Sequence, residues 1–167
     1  MVFFSLFKSA IITAGDKMKK VITNSSEETI NLGYEIGNLL KPGDVVLLVG
    51  DLSGGKTTLT KGIGKALGVE RVINSPTFTI VKTYKGSKYN LYHLDLYRLD
   101  GLNNDFDLEE YIETDAVCVI EWPHQVEELL PKEYLNLDIK MIGENKREIT
   151  ISAVGAKYEE IVGDLNV

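Results

Sequence analysis

Gly50-Asp51-Leu52-Ser53-Gly54-Gly55-Lys56-Thr57-Thr58 stands between the apolar run Val45-Val46-Leu47-Leu48-Val49 and a stretch with helical spacing. Gly50, Gly55, Lys56 and Thr57 fit the phosphate-loop pattern G-x-x-x-x-G-K-[ST], which shuffled chains of this composition would match roughly once in a hundred. The flanks are those the motif requires, a buried strand before it and an amphipathic helix after it. Glycines let the backbone amides turn inward on an anion where side chains would obstruct them. Lys56 is placed to reach the outer phosphates, the Thr57 hydroxyl to ligate magnesium, and the helix N-terminus to present free amides and a positive dipole end. A nucleotide site is the first expectation, and with it an α/β fold.

Outward from the loop, Val45–Val49 is apolar on both faces, as in the centre of a parallel sheet. The following helix should run from Lys56 to Leu67 and close at Gly68. Upstream, Val21–Thr23 reads as a short strand, and Ser25-Ser26-Glu27-Glu28 as a capping box opening a helix to about Leu40. Downstream, strands are expected at Phe78–Tyr84 and Tyr89–Tyr97, antiparallel across Lys85-Gly86-Ser87-Lys88. A short helix near Leu108–Ile112 should lead into the buried strand Val117–Ile120. A second short helix is expected near Gln125–Leu130, and two final strands, Tyr134–Met141 and Glu148–Val154, flank the turn Gly143-Glu144-Asn145-Lys146.

The chain has 167 residues, 44% of them hydrophobic and 26% charged, enough for one domain with one core. Residues 1–17 read as an N-terminal extension, and 18–167 as a single domain. The apolar start has no basic flank, and Lys8 interrupts it, which argues against a secretory signal. No apolar run is long enough to span a bilayer. A net charge of −7 makes the whole chain a poor holder of nucleic acid by itself. Cys118 is the sole cysteine and lies in an apolar run, so no intrachain disulfide is available and a reducing, cytoplasmic setting fits.

A phosphate-loop enzyme needs an acid at the end of a neighbouring strand to handle magnesium, and a group to orient the nucleophile. Glu121 ends the run Val117-Cys118-Val119-Ile120 and is the stronger candidate by pattern. Asp95, in Tyr92-His93-Leu94-Asp95-Leu96-Tyr97-Arg98-Leu99, shares one strand face with Leu91 and His93 and reads equally as a solvated residue. His93 and His124 lie far apart without cysteine partners, a poor basis for a zinc site.

Four blocks taken together resemble the TsaE (YjeE) family. They are the loop Gly50–Thr58, Ser75-Pro76-Thr77-Phe78-Thr79-Ile80-Val81, the Tyr92–Leu99 stretch, and Ile120-Glu121-Trp122-Pro123. The resemblance covers nearly the whole chain from about Met18. It implies a phosphate-loop NTPase fold with a parallel central sheet extended by antiparallel strands and helices on both faces. It also implies bound ATP and magnesium, and a role with TsaD and TsaB in threonylcarbamoylation of the adenosine next to the tRNA anticodon, with tRNA reached through that complex. Residue by residue, it carries magnesium handling and hydrolysis to Asp95. It matches Glu121 and Trp122 to a Glu-Trp pair beside the nucleotide, Thr77 to a sensing segment, and Arg147 to an arginine near the last hairpin. Lys56, Asp95 and Glu121 are thus the catalytic candidates, and Thr57, Asp95 and Glu121 the metal candidates. Ser53 departs from the family, which commonly has glycine there, and His124 stands where an acid or amide is frequent.

Two other readings stay open at this level. A small-molecule kinase shares the loop, but the chain has only Arg71, Arg98 and Arg147 to build an arginine-bearing lid. A non-hydrolytic switch would use ATP only to favour a docking conformation. A GTPase is disfavoured, since Asn145-Lys146-Arg147-Glu148 has Glu where the guanine-reading motif needs Asp.

Overall fold

The computed structural model describes residues 18–51, 55–76, 79–99, 107–112 and 114–167. The N-terminal extension expected at 1–17 lies outside the described residues. Among those described, seven strands form one sheet in the order β1-β7-β6-β2-β5-β4-β3. They are β1 Met18–Thr23, β2 Val45–Gly50, β3 Val81–Tyr84, β4 Asn90–Asp95, β5 Ala116–Glu121, β6 Tyr134–Met141 and β7 Arg147–Val154. β2 runs parallel to both β5 and β6, and β4 runs parallel to β5. β7 and β1 extend one edge in antiparallel sense, and β3 the other. This is the phosphate-loop fold expected from the sequence.

Alternation along the strands divides the core. Val46, Leu48, Val117, Val119, Leu135 and Leu137 face one side, where they meet Leu32 and Ile36 of helix α1 (Ser26–Gly37) and Leu59, Ile63 and Leu67 of α2 (Lys56–Leu67). Val45, Leu47, Cys118 and Ile120 face the other, under Leu96, Leu99, Leu108 and Ile112, the last in the single turn α3 (Glu109–Ile112). Helices therefore cover both faces, unequally. Cys118 is buried there, and the apolar surroundings push its thiol pKa up.

The two large helices cross with their backbones touching. A Cβ on Gly62 would lie 2.0 Å from the Ile30 carbonyl, and one on Gly33 would lie 2.2 Å from that of Leu59. This contact fixes the height of α2, and so of the loop at its start. Ser25 caps α1 by accepting from the Glu28 amide at 3.1 Å, while the Glu28 carboxylate accepts from the Asn24 amide, one residue earlier than a reciprocal box would place it. α1 ends at Gly37 rather than Leu40. Its tail tightens into i→i+3 bonds from Leu39 to Ile36 and from Leu40 to Gly37 ahead of Pro42.

Three more boundaries differ from the sequence reading. β3 begins at Val81, since Ile80 has φ 68°, outside the extended region. The segment after Trp122 is a 3-10 helix, Pro123–Leu129. A C-terminal helix, α4 (Ala156–Asp164), was not anticipated. It buries Tyr158, Ile161 and Val162, spaced for one helical face, but begins at Gly155 with no capping side chain.

Tyr158 ties that helix to the start of β2, where its hydroxyl accepts from the buried Val45 amide at 2.8 Å. Beside it, Lys157 meets Asp44 at 2.8 Å, and that bond holds the lysine pKa above its ordinary value. Tyr158→Phe keeps the packing and strands the amide. The expected loss is about 1–3 kcal/mol of unfolding free energy, read by urea melts at unchanged m-value; a midpoint equal to wild type would show that water satisfies Val45.

Candidate active site

The loop that follows β2 and the ends of β4 and β5 meet at the carboxyl edge of the parallel strands, where open α/β sheets hold ligands. Gly50, at the end of β2, cannot be another residue without displacement, because a Cβ would lie 2.4 Å from the Ile139 carbonyl on β6. Gly55 closes the loop with φ 102° and starts α2 as its N-cap, without a side-chain hydrogen bond to the first amides. Those amides have no capping side chain competing for them. Thr57 and Thr58 stand in the first turn, both half-buried. Leu52, Ser53, Gly54 and Thr77, expected among the binding residues, lie outside the described residues.

Lys56 is 3% exposed. Its ammonium donates to the Gly50 carbonyl at 2.9 Å and the Asp51 carbonyl at 2.6 Å, and sits 4.9 Å from the centre of the Trp122 ring. Burial lowers its pKa below the ordinary lysine value, outweighing the opposing pull of the Glu121, Asp95 and Asp51 charges. The loop lysine is thus held within the field of the three acids.

Sheet register explains how two of those acids come together. Asp95 is the Cα partner of Glu121 across the parallel β4–β5 pair, and alternation puts both on the α2 side of the sheet. Each is only 3% exposed. Asp95 accepts from the Tyr97 amide at 3.0 Å, a bond that fixes its carboxylate where β4 ends. Glu121 is held by a residue with no role assigned from its motif: His93 Nε2 lies 2.6 Å from Glu121 Oε2, with the imidazole fully buried. The one available signal was that His93 and Asp95 share a strand face. Asp95 is therefore not a solvated strand residue, and both acids belong to one cluster.

Trp122 follows Glu121 with φ 56°, a left-handed conformation that costs an L-residue about 1–2 kcal/mol and that Pro123 and the Tyr97 ring, 4.9 Å away, hold in place. Its indole Nε1 is buried without a hydrogen-bond partner among the described residues, as is His93 Nδ1. A buried donor left unused costs free energy unless a ligand or water takes it. On the opposite flank, Arg147 begins β7 and lies over Gly55, its Nε 3.5 Å from where a Cβ would stand. Its guanidinium donates to the Gly143, Glu144 and Lys146 carbonyls of its own hairpin. With Thr58, Asn145, Ser26 and Thr29 it lines a notch beside the loop. Among the described residues, no three His, Cys, Asp or Glu side chains are grouped as an all-protein metal cage.

The family pattern described as Threonylcarbamoyl adenosine biosynthesis protein TsaE matches residues 23–149. The tRNA threonylcarbamoyladenosine biosynthesis protein TsaE of Bacillus subtilis is 45% identical over 150 residues, 90% of this chain and 95% of that protein. The protein of the same name from Treponema pallidum is 38% identical over 135 residues, 80% of this chain and 99% of its own length. The crystal structure of Bacillus subtilis YdiB superposes with a TM-score of 0.79 at 43% identity, covering 90% of this chain and 95% of that one. Similarity of this extent in sequence and in three dimensions places the chain in the TsaE family of tRNA threonylcarbamoyladenosine biosynthesis proteins.

Proposed function

We propose that this site binds ATP with magnesium, hydrolyses it slowly, and so serves TsaD and TsaB in forming threonylcarbamoyladenosine next to the tRNA anticodon in the cytoplasm. The observation that carries the proposal is the meeting of the loop lysine, Lys56, with the two buried carboxylates of Asp95 and Glu121. Buried carboxylates are retained against their desolvation cost where a cation completes them.

The residues fit such a pair of ligands. Magnesium is held in phosphate-transfer sites by one or two carboxylates, a hydroxyl and the phosphates themselves, so Thr57, Asp95 and Glu121 suffice without a protein cage. When bound, it would neutralise charge developing on the phosphoryl oxygens. Lys56 turns from the loop carbonyls to the outer phosphates, and the α2 amides with those of the loop take the rest. Asp95 or Glu121 also accepts a hydrogen bond from the attacking water, and His93 keeps Glu121 in one orientation for that work. Trp122 Nε1 and Arg147 are further donors on the two flanks. Arg147 is turned onto its own hairpin in this conformation, so the proposal expects slow turnover alone and faster turnover once TsaD or TsaB reshapes the site.

Two measurements test this. Trp122 is the sole tryptophan, with the Lys56 ammonium over its ring, so MgATP titration should change its emission saturably. Unchanged emission at saturating nucleotide, with calorimetry also flat, would remove the binding site. With TsaD and TsaB reconstituted, tRNA modification should continue over many cycles only when this protein and ATP are present. Equal modification without it, or labelled phosphate passing to a small-molecule acceptor, would move the chain to another function.

A further inference from the structure

We infer that Ile80 is a positioning residue for Asp95, acting through a strained turn that ends the β3–β4 ladder at the residue whose carboxylate the site uses. The starting observation is its backbone. Ile80 has φ 68°, and the Val81 amide donates to the Thr79 carbonyl at 2.7 Å across it, which makes a γ-turn of the positive-φ kind. That turn is rare and strained, and a β-branched residue is poorly suited to its centre. Among the described residues, the other non-glycine position with positive φ is Trp122. One strained residue thus stands against each acid of the site, Ile80 opposite Asp95 and Trp122 next to Glu121. Strain persists where the surrounding structure enforces it, and it gathers at working sites.

Sheet register shows what the strain displaces. Lys82 is the partner of His93 and Val81 of Leu94, so Ile80 comes opposite Asp95. Hydrogen-bonded pairs alternate along an antiparallel ladder, and an extended Ile80 would exchange two bonds with Asp95. One of them is made: the Asp95 amide donates to the Ile80 carbonyl at 2.8 Å. The Ile80 amide donates instead to the Pro76 carbonyl at 2.9 Å, which also accepts from the Thr79 amide at 3.1 Å. The ladder therefore stops half-way through this rung. Beyond it the chain turns, with the Leu96 amide donating to the Glu121 carbonyl at 3.1 Å and the Tyr97 amide closing on the Asp95 carboxylate at 3.0 Å. A full rung would carry β3 and β4 on together and draw the chain away from that closure.

Two forces oppose each other at this residue. The left-handed backbone is unfavourable for any L-residue, and the extended rung is the relaxed alternative. The Ile80 side chain, half-buried, packs against the apolar cluster that contains Leu94, Leu96 and Ile120, and with the bonds to Pro76 this packing holds the turn closed. Removing the packing while keeping the backbone penalty should open the turn and loosen Asp95. Removing both should leave the turn in place. The inference rests on the proposed role of Asp95 in hydrolysis, and it adds to that role the residue that fixes where the carboxylate stands.

The test compares Ile80→Ala with Ile80→Gly in the full chain. Both lose the packing, but only glycine occupies the left-handed region without penalty. Hydrogen exchange of the Asp95 amide, followed by NMR without nucleotide, should be at least about tenfold faster in Ile80→Ala than in Ile80→Gly, the factor that the left-handed penalty represents. Turnover should follow the same order. Ile80→Ala should hydrolyse MgATP about tenfold more slowly with affinity within about threefold of wild type, and Ile80→Gly should recover to within about threefold. In an Asp95→Asn background Ile80→Ala should add no further slowing, since both act through one carboxylate. A side chain that merely fills space gives the reverse order, because glycine is the weaker of the two at an ordinary position. Alanine equal to or better than glycine would overturn the inference, as would the expected exchange with equal turnover, or additive slowing in the double variant. Should Ile80→Ala not fold, Asp95 exchange in Ile80→Gly decides alone: protection at least equal to wild type supports the turn, and its loss rejects it. A wild type that binds MgATP without cleaving it would remove the proposed hydrolysis and this inference with it, a result visible before either variant is made.

Discussion

Lys56→Ala should abolish calorimetrically detectable MgATP binding while leaving the nucleotide-free protein folded. The ammonium is the one side chain of the loop that carries a full positive charge, and its bonds to the Gly50 and Asp51 carbonyls leave it within reach of whatever anion the loop encloses. Deleting one partner of a desolvated charge pair costs about 2–5 kcal/mol, or roughly 30-fold to several thousandfold in affinity. The released carbonyls are at the mouth of the site, where water replaces the lysine. Thermal melting gives a second readout. A ligand at one hundred times its dissociation constant stabilises the folded state by about 2.7 kcal/mol, which for a chain of this size raises the melting temperature by roughly 5–10 °C. Wild type should show that shift and Lys56→Ala almost none. Equal shifts and equal affinity in the two proteins would mean that the loop does not hold phosphates.

How much of this site was legible in the sequence depends on how far apart its parts lie along the chain. The loop and its flanks were readable because strand, glycines and helix are contiguous: the helix begins at Lys56 and closes at Gly68 as its residues predict. The acids were readable only as candidates. What joins Asp95 to Glu121 is the parallel pairing of β4 with β5, a non-local fact that alternation within β4 cannot supply. His93 was invisible for the same reason, since a lone histidine in an apolar strand declares no partner until the neighbouring strand arrives. α4 carried a signal that was present but weak, with Tyr158, Ile161, Val162 and Leu165 spaced as one apolar face behind an uncapped Gly155 start. β3 began late because a β-branched residue, Ile80, adopts a positive φ that propensity disfavours.

Asp95→Asn should separate binding from turnover. The substitution is nearly isosteric, and its amide oxygen can still accept from Tyr97, so the end of β4 keeps its shape. What disappears is one negative charge in a buried pair whose members lie opposite each other in the sheet. If Asp95 holds magnesium or orients the attacking water, its interaction strengthens as charge develops, and losing it falls mainly on the rate. The expected result is MgATP affinity within about threefold of wild type and hydrolysis slowed by about a hundredfold, equivalent to about 2.7 kcal/mol in activation free energy. Multiple-turnover tRNA modification should fail with it. Glu121→Gln divides the labour: held by His93 rather than by the backbone, Glu121 should show its loss as a weaker magnesium dependence of binding. Full, sustained modification by Asp95→Asn with hydrolysis abolished would reject an ATPase role and leave a docking switch, since conformational preference alone requires the nucleotide to be bound but never cleaved.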